Sequence, residues 1–364
     1  MTIPAPEEMR IYRTSIPMRR FEHAAAARAQ AEAIVVRLTW PDGREGWGET
    51  LPREYVTGET LDSVVADLQE RIFPAMKSDG EGRILSVDAD GRCMSAAAAA
   101  LDIARYDAMT EELPAGAIVP RVSGVLGSAD PSKTARKLRH MRLFGLRDFK
   151  LKLGFEAEVD RENLSVVSRK LSRGVRAGKL TLRVDINGGW SPTETPERID
   201  ELVQYGVCAV EQPTYCPAGE LAELARRCSI PLMADESLIT AADAEALLPA
   251  GAKVWWNIRL SKNGGVTGVS ELAAMAVGND IPFVAGCMVG ESSILSAAQR
   301  RFLGSAGRSA RFVEGNYGRF LLSDDLTVKT LRFGYGGRLK NLRRRGLGVK
   351  VDPDKLARYG RAVD

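Results

Sequence analysis

The chain has 364 residues, 45% hydrophobic and 27% charged, with a formal net charge of +4. That composition belongs to an ordinary globular protein long enough for two domains, or for one barrel with an appendage. The small charge gives no nucleic-acid footprint, no apolar run approaches the roughly 18 residues of a membrane span, and five cysteines without CxxC spacing suit a reduced, cytoplasmic protein.

In chain order, residues 34–38 predict a long strand, the turn Pro41-Asp42-Gly43 follows, and Gly46-Trp47-Gly48-Glu49 continues as a second extended segment. Helices are predicted over 61–75, where Leu61, Val64, Val65, Leu68 and Ile72 share one face, and over the alanine-rich 95–109. From Arg121 short apolar runs alternate with amphipathic helices. The runs are 121–126, 149–153, 180–185, 207–211, 232–235, 254–258, 283–285 and 310–314. Asp185, Glu211, Asp235 and Arg259 end four of them, 26, 24 and 24 residues apart, which is the length of one βα unit. Eight strands alternating with helices predict a closed parallel barrel over 121–316, after an α+β domain over 1–120. The tail, 317–364, is rich in glycine and arginine, lacks the alternation, and is expected to pack back on the first domain.

Charged residues at the C-terminal ends of apolar strands mark the active face of such a barrel. Asp185, Glu211 and Asp235 offer three hard oxygen ligands, the set that suits octahedral Mg²⁺. Lys150 and Lys152 lie two apart on one strand and point to one face. Crowding two ammonium groups in a barrel interior is expected to push a proton off at least one of them, as a general base requires.

The segments Phe149-Lys-Leu-Lys-Leu-Gly154, Val184-Asp-Ile-Asn-Gly-Gly-Trp190, Val210-Glu-Gln-Pro213, Met233-Ala-Asp-Glu-Ser237 and Asn257-Ile-Arg-Leu-Ser-Lys-Asn-Gly-Gly265 together resemble the enolase superfamily, in particular its mandelate racemase and muconate-lactonizing subgroup. The resemblance spans nearly the whole chain. It implies an N-terminal α+β capping domain, completed here by the tail, over a (β/α)₇β TIM-type barrel. It also implies Mg²⁺, with Mn²⁺ as substitute, on Asp185, Glu211 and Asp235. Lys152 would take the α-proton of a small carboxylic acid to give an enediolate, and Lys150 would bind a carboxylate oxygen. Asn187 and Asn257 would contact substrate or the ligands, and the family usually forms dimers or octamers.

One position departs from the pattern. Most relatives read Asn-x-Lys on the sixth strand, and that lysine faces Lys152 across the substrate; here it is Arg259. A guanidinium, with a pKa above roughly 12, is not a base at neutral pH. Two-base racemisation is therefore disfavoured, and Lys262, three residues on, is the nearest substitute. One-base chemistry survives, with Arg259 stabilising negative charge, so cycloisomerisation or syn-elimination is the expected reaction. The alternatives are an epimerase or racemase of dipeptides or N-acyl amino acids, and a barrel that binds metal and acid without turnover. Glu314, Tyr55, His23 and Arg19 are further candidates for substrate contact, the last three on capping loops. Glu291 follows the seventh strand one position later than the acid of relatives.

Overall fold

Two sheets carry the chain. The structure, a computed structural model, describes residues 5–23, 26–78, 84–88, 91–111, 120–306 and 309–363, and the side chains of 20–28 lie outside that description. A four-stranded antiparallel sheet has the order β12-β1-β2-β3, from β1 (Glu8–His23), β2 (Ala26–Thr39), β3 (Glu45–Thr50) and β12 (Gly360–Val363). Strand β1 was not expected from the sequence, although its alternation was there: Thr14, Ile16 and Met18 are buried and Ser15, Pro17 and Arg19 exposed. Its register pairs Ile11 with Val36 on one side and with Val363 on the other, which brings the end of the chain into the N-terminal sheet.

Helices α1 (Glu54–Thr57), α2 (Leu61–Asp67) and α3 (Phe73–Ser78) precede α4 (Ser95–Met109). The stretch predicted as one helix over 61–75 runs through a π-helical turn, Leu68–Ile72, between α2 and α3. The alanines of α4 let it lie close on β3, and glycine is required on that face of the strand. A Cβ on Gly46 or Gly48 would collide with the Ala104 and Ala100 carbonyls, respectively. Val36, Leu38 and the α4 alanines form the core of this layer.

The second sheet runs β4 (Gly124–Leu126), β5 (Asp148–Lys152), β6 (Thr181–Asp185), β7 (Val210–Glu211), β8 (Leu232–Ala234), β9 (Val254–Ile258), β10 (Phe283–Ala285) and β11 (Ala310–Val313), each parallel to the next. A bridge from Val122 to Val313 closes the ring. At that seam Tyr317 donates its hydroxyl to Ser123 O at 2.9 Å and accepts from Val125 N at 3.1 Å. The helices between strands are α5 (Pro131–Leu143), α6 (Ala157–Arg176), α7 (Thr195–Val203), α8 (Ala218–Ala225), α9 (Ala241–Leu247), α10 (Gly265–Gly278) and α11 (Ser293–Ala306); α12 (Pro353–Tyr359) leads into β12. Eight strands and seven intervening helices are the (β/α)₇β barrel read from the sequence. No helix among the described residues is long and apolar enough to cross a membrane.

Strand periodicity sorts the barrel interior into layers. Ala209, Met233, Trp255, Val284 and Phe312 form a closed apolar plug, whereas Trp256 packs among the helices. Two residues beyond four of these five come Glu211, Asp235, Asn257 and Glu314, so the plug becomes the floor of a polar site.

Candidate active site

The strand ladder sets the first-rank residues side by side. Lys152 pairs in register with Asp185, and Asp185 with Glu211. Asp185, Glu211 and Asp235 are all fully buried. Protein cations neutralise them. Lys150 Nζ lies 3.0 Å from Glu211 Oε1, 3.4 Å from Asp185 Oδ2 and 2.8 Å from Glu314 Oε2. Arg259 reaches Asp235 and, at 3.5 Å, Glu211. Lys262 donates to Asp235 O at 2.6 Å, Asp235 Oδ1 at 3.0 Å and Asn257 O at 2.8 Å. All three donors of Lys262 are thus committed within the fold, and it is not on the cavity wall among the described residues. It cannot stand in for the missing lysine.

The three carboxylates fit a hard divalent ion in kind, and Asp185 Oδ2 is buried without a hydrogen-bond partner. Among the described residues, however, no three His, Cys, Asp or Glu side chains converge closely enough to hold an ion as they stand. The ion pairs give the physical reason: Lys150 and Arg259 occupy the space between the acids.

Lys152 is placed differently from Lys150. Its Nζ donates to Asn187 Oδ1 at 2.9 Å and lies 3.2 Å from Asp185 Oδ2, and its side chain borders the cavity. Asn187 holds a left-handed backbone, φ 47°, a conformation that asparagine tolerates, and its Nδ2 donates to Glu236 Oε1 at 3.3 Å. Asn257 Nδ2 donates to Glu211 Oε1 at 2.8 Å, so it orients a carboxylate. Crowding does not lower the pKa of Lys150. Burial alone would lower its pKa, but the Glu211, Glu314 and Asp185 carboxylates outweigh burial and raise it, so Lys150 stays an ammonium.

Glu314 is held between Lys150 and Arg183, the latter at 3.2 Å, with no bond to Arg259. Sequence reading missed Arg183, although it stands two residues before Asp185 and so shares its face. It is fully buried and lies over the Phe312 ring at 4.3 Å. Gln212 was also missed. Its Oε1 accepts from Asp235 N at 2.9 Å and Ser237 N at 3.1 Å, fixing the loop that carries Asp235.

A cavity of about 440 Å³ opens above these residues. Lys150, Lys152, Glu236, Arg259, Glu291 and Glu314 make its polar side, and Met141, Phe144, Leu321 and Phe333 an apolar side. Arg19 and Tyr55 lie at its rim, both exposed; His23 is outside the residues whose side chains are described. Glu291 is 8% exposed, and burial pushes its carboxyl up to about 8. The folded protein therefore holds this proton more tightly than the unfolded chain. Its contribution to stability is present below the ordinary value of 4.5 and is lost as pH rises through about 8. Glu291→Gln should flatten the decline of the melting temperature across that window. An unchanged profile in thermal melts would show that Glu291 is not the group responsible.

Residues 133–355 match the family described as Enolase C-terminal domain-like. The L-Ala-D/L-Glu epimerase of Francisella tularensis subsp. novicida is 26% identical over 76% of this chain and 80% of its own length. The N-succinyl Arg/Lys racemase of Bacillus cereus superposes with a TM-score of 0.82 at 25% identity, covering 100% of both chains. The muconate lactonizing enzyme of Mycobacterium smegmatis, complexed with muconolactone, gives 0.82 at 26% identity, covering 99% of this chain and 100% of its own. These likenesses favour the epimerase or racemase alternative over the cycloisomerase or lyase expected from Arg259. Arg259 removes a lysine base from the second face but leaves other proton carriers in the cavity.

Proposed function

The chain belongs to the enolase superfamily, in its mandelate racemase and muconate-lactonizing subgroup, and on that premise we propose that it inverts the α-carbon of a dipeptide or an N-acylated amino acid. The observation that carries the reading is Lys152, a lysine on the cavity wall, oriented by Asn187 and Asp185. It takes the α-proton from one face of the substrate. Lys150, held as an ammonium, faces the substrate carboxylate and stabilises the negative charge that develops there. Asp185, Glu211 and Asp235 are the residues that would hold Mg²⁺, and the ion would supply further positive charge at that carboxylate. Arg19 and Tyr55 at the rim would meet the distal end of the substrate.

The apolar wall of Met141, Phe144, Leu321 and Phe333 suits a substrate with a hydrophobic side chain. In D₂O with Mg²⁺, dipeptides or N-acyl amino acids carrying an apolar residue should invert with one deuterium at the α-carbon. Their kcat/KM should exceed that of the acidic counterparts at least about tenfold, the lower bound for even one methylene in an apolar pocket. Chiral chromatography with mass spectrometry reads both quantities. Arg259 favours a second reading, one-base cycloisomerisation or elimination. Ring closure or loss of water, with no inversion, would establish it instead.

A further inference from the structure

Inversion needs a proton carrier on each face of the substrate, and the usual second lysine is absent. Of the other proton carriers on the cavity wall, Lys137 and His140 lie on α5 next to β5 and so on the Lys152 side, Tyr317 is committed to Ser123 O and Val125 N, and burial raises the Cys287 thiol well above its ordinary value. Glu314 is committed to Lys150 and Arg183, and Glu236 stands on the Lys152 side through Asn187. Glu291 Oε1 accepts from Met288 N at 2.7 Å, whereas its Oε2 is buried without a hydrogen-bond partner on the wall of the same cavity. Glu236 Oε2 and Glu314 Oε1 are likewise buried without a hydrogen-bond partner, so what sets Glu291 apart among the described residues is that it is tied neither to Lys150 nor, through Asn187, to Lys152.

Its position is on the far part of the ring: it follows β10, which neighbours β9 and lies three strands from β5 by way of β4 and β11. In the closed ring of eight strands β9 stands four strands from β5, diametrically across from Lys152. Arg259 ends β9, and its guanidinium touches Met288 Sδ at 3.6 Å, in the turn that carries Glu291. The turn is pinned from the capping side. Arg53 donates to Val289 O at 3.3 Å, and Glu49 accepts from Ser292 N at 3.0 Å and from its hydroxyl at 2.6 Å. Gly290 makes the turn feasible, with φ +103° and room for no Cβ, since one would stand 2.7 Å from Ala31 Cβ.

Resting on the proposed inversion, we infer that Glu291 is the second proton carrier, a carboxyl that replaces the missing lysine on the face opposite Lys152. In one direction the neutral Lys152 amine takes the α-hydrogen as a proton, and the C–H bond pair moves into the substrate carboxylate. The Glu291 O–H bond then breaks, and its proton forms the new C–H bond on the other face as the pair returns. Lys152 is left as an ammonium and Glu291 as a carboxylate, and exchange with solvent resets both. The reverse direction exchanges the two roles. A buried carboxyl with a pKa of about 8 is divided between both forms near neutrality, as a carrier that works in both directions must be.

The test compares α-hydrogen exchange with inversion in D₂O for wild type and Glu291→Gln, starting from each stereoisomer separately. The variant should still exchange the isomer whose proton Lys152 takes, at near the wild-type rate. Its inversion should fall by about 10²–10³-fold. Glu291→Asp, which keeps the carboxyl, should recover part of the inversion. Inversion at the wild-type rate in Glu291→Gln would overturn the assignment alone. So would equal loss of exchange and inversion, the mark of a structural role. Absence of exchange by wild type, across both dipeptides and N-acyl amino acids, would overturn the proposed function and this assignment with it.

Discussion

Lys152→Ala protein should lose exchange of one stereoisomer's α-hydrogen, and inversion with it, by about 10³-fold, the upper part of the range for a positioned general base. The side chain reaches the cavity from the end of β5, and Asn187 and Asp185 hold its amine 2.9 and 3.2 Å away. Neither contact depends on the methylenes that pack the strand, so truncation should leave the barrel folded. The opposite stereoisomer is the internal control. If Glu291 serves the other face, its exchange persists in Lys152→Ala while its inversion does not. Unchanged exchange of both isomers would remove Lys152 from the chemistry.

Arg259→Met should be strongly destabilising when no divalent ion is present, costing about 3 kcal/mol, the usual result of leaving buried carboxylates short of a cation. The guanidinium bridges Asp235 and Glu211, both fully buried. Lys262 and Lys150 remain beside them, which keeps the loss at the low end of the range. Mg²⁺ should restore most of it, because an ion bound only by the folded state stabilises by mass action, about 2.7 kcal/mol at a hundredfold excess over Kd. Wild type should gain less from the same Mg²⁺, since the Arg259 guanidinium already neutralises these acids. Urea unfolding of both proteins, in chelator and in Mg²⁺, measures the difference. Equal gains would mean that Arg259 and the ion do not compete for one place.

The barrel and its polar face were legible because strand periodicity is strictly local. An apolar run ending in Asp185, Glu211 or Asp235, repeated at the length of a βα unit, leaves a charge only one sensible place, the mouth where strand ends converge. The same rule could have found Arg183 two residues before Asp185. Strand β1 was equally available from its alternation at 14–19. It was overlooked because its charged positions mask an edge-to-core pattern that only its partners β2 and β12 complete.

The sequence by itself thus determined the architecture, the three acids, the two lysines and the substitution at Arg259. What it could not determine was how the charges pair. Lys150 and Lys152 are equivalent as letters two apart, yet one lies among three carboxylates and stays an ammonium while the other borders the cavity. Arg259 as a letter argued for one-base chemistry, and only the closed ring put Glu291, distant in sequence, on the same cavity wall as Arg259 and Lys152. Spacing along a chain fixes which face of a strand a side chain takes. Coulomb energy falls with distance through space, and that distance is set by the packing of eight strands and a capping layer together.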